Sequence, residues 1–229
     1  MRKALIGLLM ALTAATAAEA AVNVSIGINI PTYPRLVAVP GSAVYYAPAV
    51  NANYFFYDGL YWVFDGDQWV TSSWYNGPWR VVGPEFVPAY LWQVPVRYYR
   101  RPPVYFHGWS SNYAPRWGDH WGPEWKARHD GWDRHDNRAR YSPAPLPNYQ
   151  RQYTGNRYPQ GEQQSQLHSQ NYRYQPREQA VREHYQQQGI QQQAVQQEQR
   201  GERAQSQGQG QGRGDGNRGQ HEGRGHDRQ

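Results

Sequence analysis

One short pattern recurs three times within 54–82 and constrains the fold more than any other feature. YDGLYW starts at Tyr57, FDGDQW at Phe64, and a looser copy, YNGPW, at Tyr75. Each copy sets an aromatic ring ahead of Asp-Gly or Asn-Gly and a Trp shortly after. Those dipeptides supply the positive-φ positions that tight hairpin turns need. The intervening stretches, LYWVF and WVTSSWY, consist mostly of aromatic and β-branched residues, which suit strands. Three turns imply about four short antiparallel strands in a meander. The first two turns lie close together, so one of them could be a bulge.

The start of the chain reads as an address. Met1-Arg2-Lys3 is basic, 4–15 is apolar and uncharged, and Ala18-Glu19-Ala20 fits a small-x-small cleavage pattern. We therefore assign 1–20 as a signal peptide and expect an exported protein, periplasmic or associated with the outer envelope. No later stretch is apolar for long enough to span a bilayer, so no transmembrane segment is expected after cleavage. The absence of Cys excludes disulfide staples, thiolate metal sites and cysteine nucleophiles.

Residues 21–30, AVNVSIGINI, alternate with a period of two and predict a strand. Pro31 and Pro34 end it, and a Pro/Ala/Tyr-rich connector follows to residue 53. Four short strands are marginal by themselves, so the 21–30 strand, or a partner, is expected to add to the meander. The meander is drawn over 54–106, its later part as extended edge strand alternating with polyproline around Pro84, Pro88, Pro95, Pro102 and Pro103. The 107–140 segment, rich in Trp, His, Asp and Arg, is expected to be partly helical. Pro123 is placed to open a short helix near 123–139.

Beyond Trp132 the apolar supply collapses. Leu146, Leu167, Val181, Ile190 and Val195 are the only Leu, Ile or Val there, and 24 Gln lie between Tyr141 and Gln229. Such a composition predicts a long disordered Gln/Arg/Gly-rich tail over 141–229. The fold expected is mainly β: a small antiparallel meander rich in Trp and Tyr, one short helix, and that tail.

Candidate chemistry is sparse. Asp58 and Asp65 each precede a Gly, where Asp is a turn former, and no paired carboxylate, GxSxG, HExxH or phosphate-cradling loop is present. No enzyme and no cofactor are expected. Trp74, Trp79, Trp92 and Trp109 are the candidates for an aromatic binding face, although most rings of the meander are expected in its core. Arg97, Arg100 and Arg101 flank Tyr98 and Tyr99 and could contact a polyanion. For an exported chain that means an anionic envelope polymer or lipid headgroups rather than nucleic acid. His120, His129 and His135, among Asp119, Asp130, Asp133 and Asp136, form the metal-binding alternative. Interleaved Arg residues favour a charge-paired, solvated face there instead.

WYNGPW (74–79) fits the pattern W-x-x-G-x-W. Together with VPVRYYRRPPVYFHGW (94–109) and PRWGDHWGPEW (115–125), it resembles a group of exported proteobacterial proteins with a signal peptide, a Tyr/Trp/Pro-rich middle and a Gln/Arg-rich end. More loosely, the chain is similar to the bacterial WxxGxW/YxWGxW-repeat exported proteins, with one full copy of the motif. The resemblance implies export and a small β module, and carries no catalytic residue. The function expected is a non-enzymatic envelope protein whose aromatic module plays a structural or interaction role, with an envelope polymer, glycan or protein as partner. A periplasmic metal-handling protein using 107–136 is the alternative.

Overall fold

The computed structural model describes residues 23–24, 27–133, 142–183 and 186. Seven strands form one antiparallel sheet: β1 Asn23–Val24, β2 Val37–Ala38, β3 Tyr45–Tyr46, β4 Asn53–Tyr57, β5 Leu60–Asp65, β6 Gln68–Ser72 and β7 Trp79–Val82. Their order is β1-β7-β6-β5-β4-β3-β2. Strands β2 to β7 are a six-strand meander, and β1 closes its far edge by pairing Asn23 with Arg80 and Val24 with Trp79. The predicted addition of the N-terminal strand to the meander therefore holds at these two positions. The connector supplies two further strands, β2 and β3.

The turns follow from their dipeptides. Asp58 (φ 49°) and Gly59 (φ 90°) join β4 to β5, and Gly66 (φ 54°) and Asp67 (φ 61°) join β5 to β6. Positive φ at both central residues is the two-residue turn whose twist matches its strands. Both are full reversals and neither is a bulge: Tyr57 pairs with Leu60, and Asp65 with Gln68. The second turn sits one residue later than its Asp-Gly suggests, because Asp65 remains in the ladder. At the third, Gly77 (φ 84°) leaves no room for a Cβ, which would lie 2.9 Å from the Trp79 ring.

Every residue of β4 and the first five of β5 are buried. An antiparallel strand buried at consecutive positions is covered on both faces, because successive side chains point to opposite sides. One face carries Tyr54, Phe56, Tyr61, Val63 and Val70. It is covered by 27–36 and by a C-terminal strap, 142–174, contributing among others Ile30, Tyr33, Tyr149, Tyr158 and Tyr172. The other face carries Phe55, Trp62, Phe64 and Trp69. Residues 84–132 cover it, with Phe64 against Trp117 (centroids 5.2 Å), Trp69 against Trp92 (5.5 Å) and Phe55 against Tyr99 (5.1 Å). Edge-to-face geometry dominates, as the ring quadrupole prefers.

Two expected boundaries move. The meander ends at Val82 rather than 106. Residues 84–106 form no strand but short helical turns, Pro84–Phe86, Val96–Tyr98 and Val104–Phe106, with helix α1 at Ala89–Trp92. Proline cannot donate to a ladder but fits the entry of a helical turn, and Pro84, Pro88, Pro95 and Pro103 all stand there. The expected tail also starts too early: 142–174 packs on the sheet and includes helix α4, Gly161–Asn171, which follows α2 (Trp117–Trp121) and α3 (Pro123–Arg128). Pro123 does open α3 after Gly122. The chain divides after Ala180. Of the second unit, residues 181–183 and 186 are described, and they are helical. The rest of the expected tail, and the expected signal segment 1–20, lie outside the described residues.

Candidate functional site

The strap shows what the WYNGPW segment does within the fold. Trp74 is fully buried, and its Nε1 donates to the carbonyl of Gln164 (3.0 Å). The backbone N–H of Tyr75 donates to Gln150 Oε1 (3.2 Å), and the Tyr75 hydroxyl donates to the carbonyl of Tyr153 (2.6 Å). Tyr158 accepts from the Asn76 N–H and donates to the Gly77 carbonyl, which also accepts from Gln164 Nε2. Three tyrosine rings, Tyr149, Tyr153 and Tyr158, stand edge-on around Trp74. This segment is the receptor for the strap, and a structural site.

Three of the four aromatic candidates are therefore core. Trp74, Trp79 and Trp92 are each at most 4% exposed. They fill the space that a sheet with two covered faces must close, so they form no binding face. Trp109 is half-buried and stays at the surface.

Around Trp109 the structure assembles a surface cluster from three separate elements. Asp67 projects from the β5–β6 turn. Its Oδ1 accepts from the Tyr105 hydroxyl (2.6 Å), and its Oδ2 accepts from Nε2–H of His120 on α2 (3.2 Å). The Tyr105 and His120 rings lie face to face, with centroids 3.5 Å apart and planes within 7°. Trp109 touches Tyr105 (5.7 Å) and stacks on Phe106 (4.8 Å), and Trp121 meets His120 edge-on (4.7 Å). Trp121 is 36% exposed and Val104, beside Tyr105, is 92% exposed. Burial, reinforced by the neighbouring Asp67 carboxylate, pushes the Tyr105 phenol well above its ordinary range. Tyr105 thus remains a hydroxyl donor at any physiological pH.

The remaining candidates are placed as follows. Arg97, Arg100 and Arg101 are exposed. Arg97 donates to Asn112 Oδ1 (2.9 Å) and lies over the Tyr98 ring (5.1 Å). The backbone of Arg101 is clamped by buried Asn53, whose Oδ1 accepts from its N–H and whose Nδ2 donates to its carbonyl. The backbone at Arg101 is thus tied to β4, and the three Arg side chains are at the surface.

His120 and His129 are not brought together. His129 stacks on Trp125 (4.2 Å), and its two ring nitrogens face the carbonyls of Trp125 (3.0 Å) and Pro84 (3.2 Å). His135 lies outside the described residues. Among the described residues no group of three or more His, Cys, Asp or Glu could hold a metal ion. A cleft of about 350 Å³ beside His129 is lined by both signs of charge. There Asp119 is paired with Arg116 and with Lys126 (3.2 Å). The Lys126 hydrogen bond and the two cations hold the Asp119 carboxyl below its ordinary value. Arg116, Asp119 and Lys126 thus show the charge-paired face expected from the interleaving.

Asp58 is consumed structurally. It is 4% exposed, and its carboxylate accepts from the Tyr174 hydroxyl (2.6 Å) and from the backbone N–H groups of Arg177 and Glu178 (2.9 Å each). Sequence reasoning missed Asp67, Tyr105 and Trp121 as members of the surface cluster. Trp121 carried a signal, as one of the rings in WGDHW, but only folding shows which rings stay outside.

Among the described residues no helix is long and apolar enough to cross a membrane. Comparison of the chain with protein-family models, with curated proteins and with solved structures found no match.

Proposed function

We propose that this chain is a non-enzymatic, exported envelope protein whose aromatic β module holds a binding surface for an envelope polymer or partner. The observation that carries the reading is the contrast between the rings inside and those outside. Trp74, Trp79 and Trp92 are sunk in the core, whereas Trp109, Tyr105, His120 and Trp121 run as a connected cluster on the surface. Exposed clusters of large rings mark interaction sites. The leader-like start supports export. The carboxylates support a binding role over catalysis: Asp58 is saturated by main-chain donors, and Asp67 is tied to two side chains. The metal-handling alternative gains no support, since His120 and His129 have separate partners.

The test is fractionation of cells producing the full chain, followed by capture of envelope components on the mature protein from residue 21 to the end. The fragment 21–140 is unsuitable, because it lacks the strap. Recovery in the envelope fraction with a captured envelope component is expected. Retention in the cytoplasm, or turnover of a substrate by the purified chain, would overturn the reading.

A further inference from the structure

We infer that the Asp67–Tyr105–Trp109–His120–Trp121 surface is a glycan site that takes neutral hexopyranose chains; this rests on the binding role proposed above and names its ligand. The argument starts from the ring arrangement. A pyranose is amphipathic, with a face of C–H groups and a rim of hydroxyls. It is matched by half-exposed rings with hydrogen-bonding groups at their edges. Trp109, Tyr105, His120 and Trp121 follow one another with centroid separations of 5.7, 3.5 and 4.7 Å. The rings thus form one connected surface with two Trp side chains at its ends, which more than one sugar of a chain can engage. Each ring is fixed by another ring, so little side-chain freedom remains to be lost on binding.

The polar groups select the class. Asp67 sits between the Tyr105 hydroxyl and His120 Nε2, which donate to its two oxygens and fix the carboxylate among the rings. A surface built around a carboxylate repels a polyanion and accepts from the hydroxyls of an uncharged polyol; the exposed Arg97, Arg100 and Arg101 are the better match for a polyanion. A carboxylate with lone pairs to spare beside two aromatic planes offers what a sugar hydroxyl needs.

The experiment is titration of the full mature chain with soluble oligomers of N-acetylglucosamine and of glucose, read by Trp fluorescence and calorimetry. Binding of at least one of them is expected. Trp121→Ala and Trp109→Ala should each weaken it about tenfold, the worth of one stacked ring. Near-UV circular dichroism and the unfolding midpoint of each variant check that the fold survives. Tyr105→Phe, which keeps the ring but frees Asp67, provides a milder second variant and should weaken binding less than Trp121→Ala. No binding to any oligomer, binding unchanged in folded Trp variants, or Trp121-dependent capture of a protein instead of glycan would each overturn the inference. In the last case the envelope-binding reading stands without it, whereas cytoplasmic retention defeats that reading and leaves the titration to judge the site.

Discussion

Gln150 and Tyr61 meet in the interior although 89 residues separate them: the Tyr61 hydroxyl donates to Gln150 Oε1 at 3.0 Å. The same amide accepts from the Tyr75 N–H and donates through Nε2 to the Ser73 carbonyl and the Tyr149 hydroxyl. Gln150 is fully buried. One side chain from a glutamine-rich segment thereby ties the strap to β5 and to the third turn.

Replacement Gln150→Leu should cost about 2–4 kcal/mol, because it leaves Tyr61 and the Tyr75 N–H buried without that acceptor. Exposed Gln152→Ala should change stability by less than about 0.5 kcal/mol. Urea unfolding of the two variants measures the difference. Similar values would mean that the amide is not what holds the strap.

Truncation separates strap from tail. A chain of residues 21–180 should keep the near-UV signal and a single unfolding transition. One ending at 141 should lose both and expose aromatic surface to a hydrophobic dye, because Tyr54, Phe56, Tyr61 and Val63 lose part of their cover. An intact 141 truncation would show that 27–36 alone suffices to cover that face.

His168 makes the strap acid-sensitive. Its Nδ1 lies 3.0 Å from the Tyr149 hydroxyl, and burial brings its pKa down to about 4 from the ordinary 6.5. The unfolded chain therefore takes up a proton before the folded one. This contribution is whole above pH 6.5, is lost as pH falls from 6.5 to 4, and is constant below that. Its size is at most about 3 kcal/mol. His168→Gln should flatten the stability profile in that window, as read by unfolding at fixed pH values. An unchanged slope would assign the acid sensitivity to other groups.

Asp58 links the first turn to the chain beyond the strap. Asp58→Ala should cost about 2–4 kcal/mol, since Ala tolerates φ 49° poorly and two backbone N–H groups and Tyr174 lose their acceptor. Asp58→Asn keeps the turn preference and should cost about half as much. Denaturant midpoints of both variants give the comparison. A silent Asp58→Asn would show that turn geometry, not the carboxylate, is what matters there.

Much of the sheet was legible because its signals are local. Asp58-Gly59 and Gly77 specify turns within two to four residues, Asp65-Gly66 marked the second turn to within one residue, and the period of two in 21–30 marked a strand that pairs at Asn23 and Val24. Pro123 announced α3 for the same reason. A further signal lay in the two runs of large residues, 54–57 and 60–64, separated only by the Asp58-Gly59 turn, which strands with one wet face do not carry. It demanded a second cover. Counting Leu, Ile and Val concealed that cover, because the strap brings Tyr149, Tyr153, Tyr158 and Tyr172, whose rings pack while their hydroxyls bond.

By itself, then, the order of residues determined where the chain reverses, which stretches extend and where proline forbids a ladder, since each is set by the dihedral limits of neighbouring residues. Only the tertiary structure decided which Trp side chains are core and which are surface, and that Asp67, Tyr105 and His120 share one cluster. Those outcomes depend on which segment covers which face, and that choice is made by burial and hydrogen bonds between residues tens of positions apart.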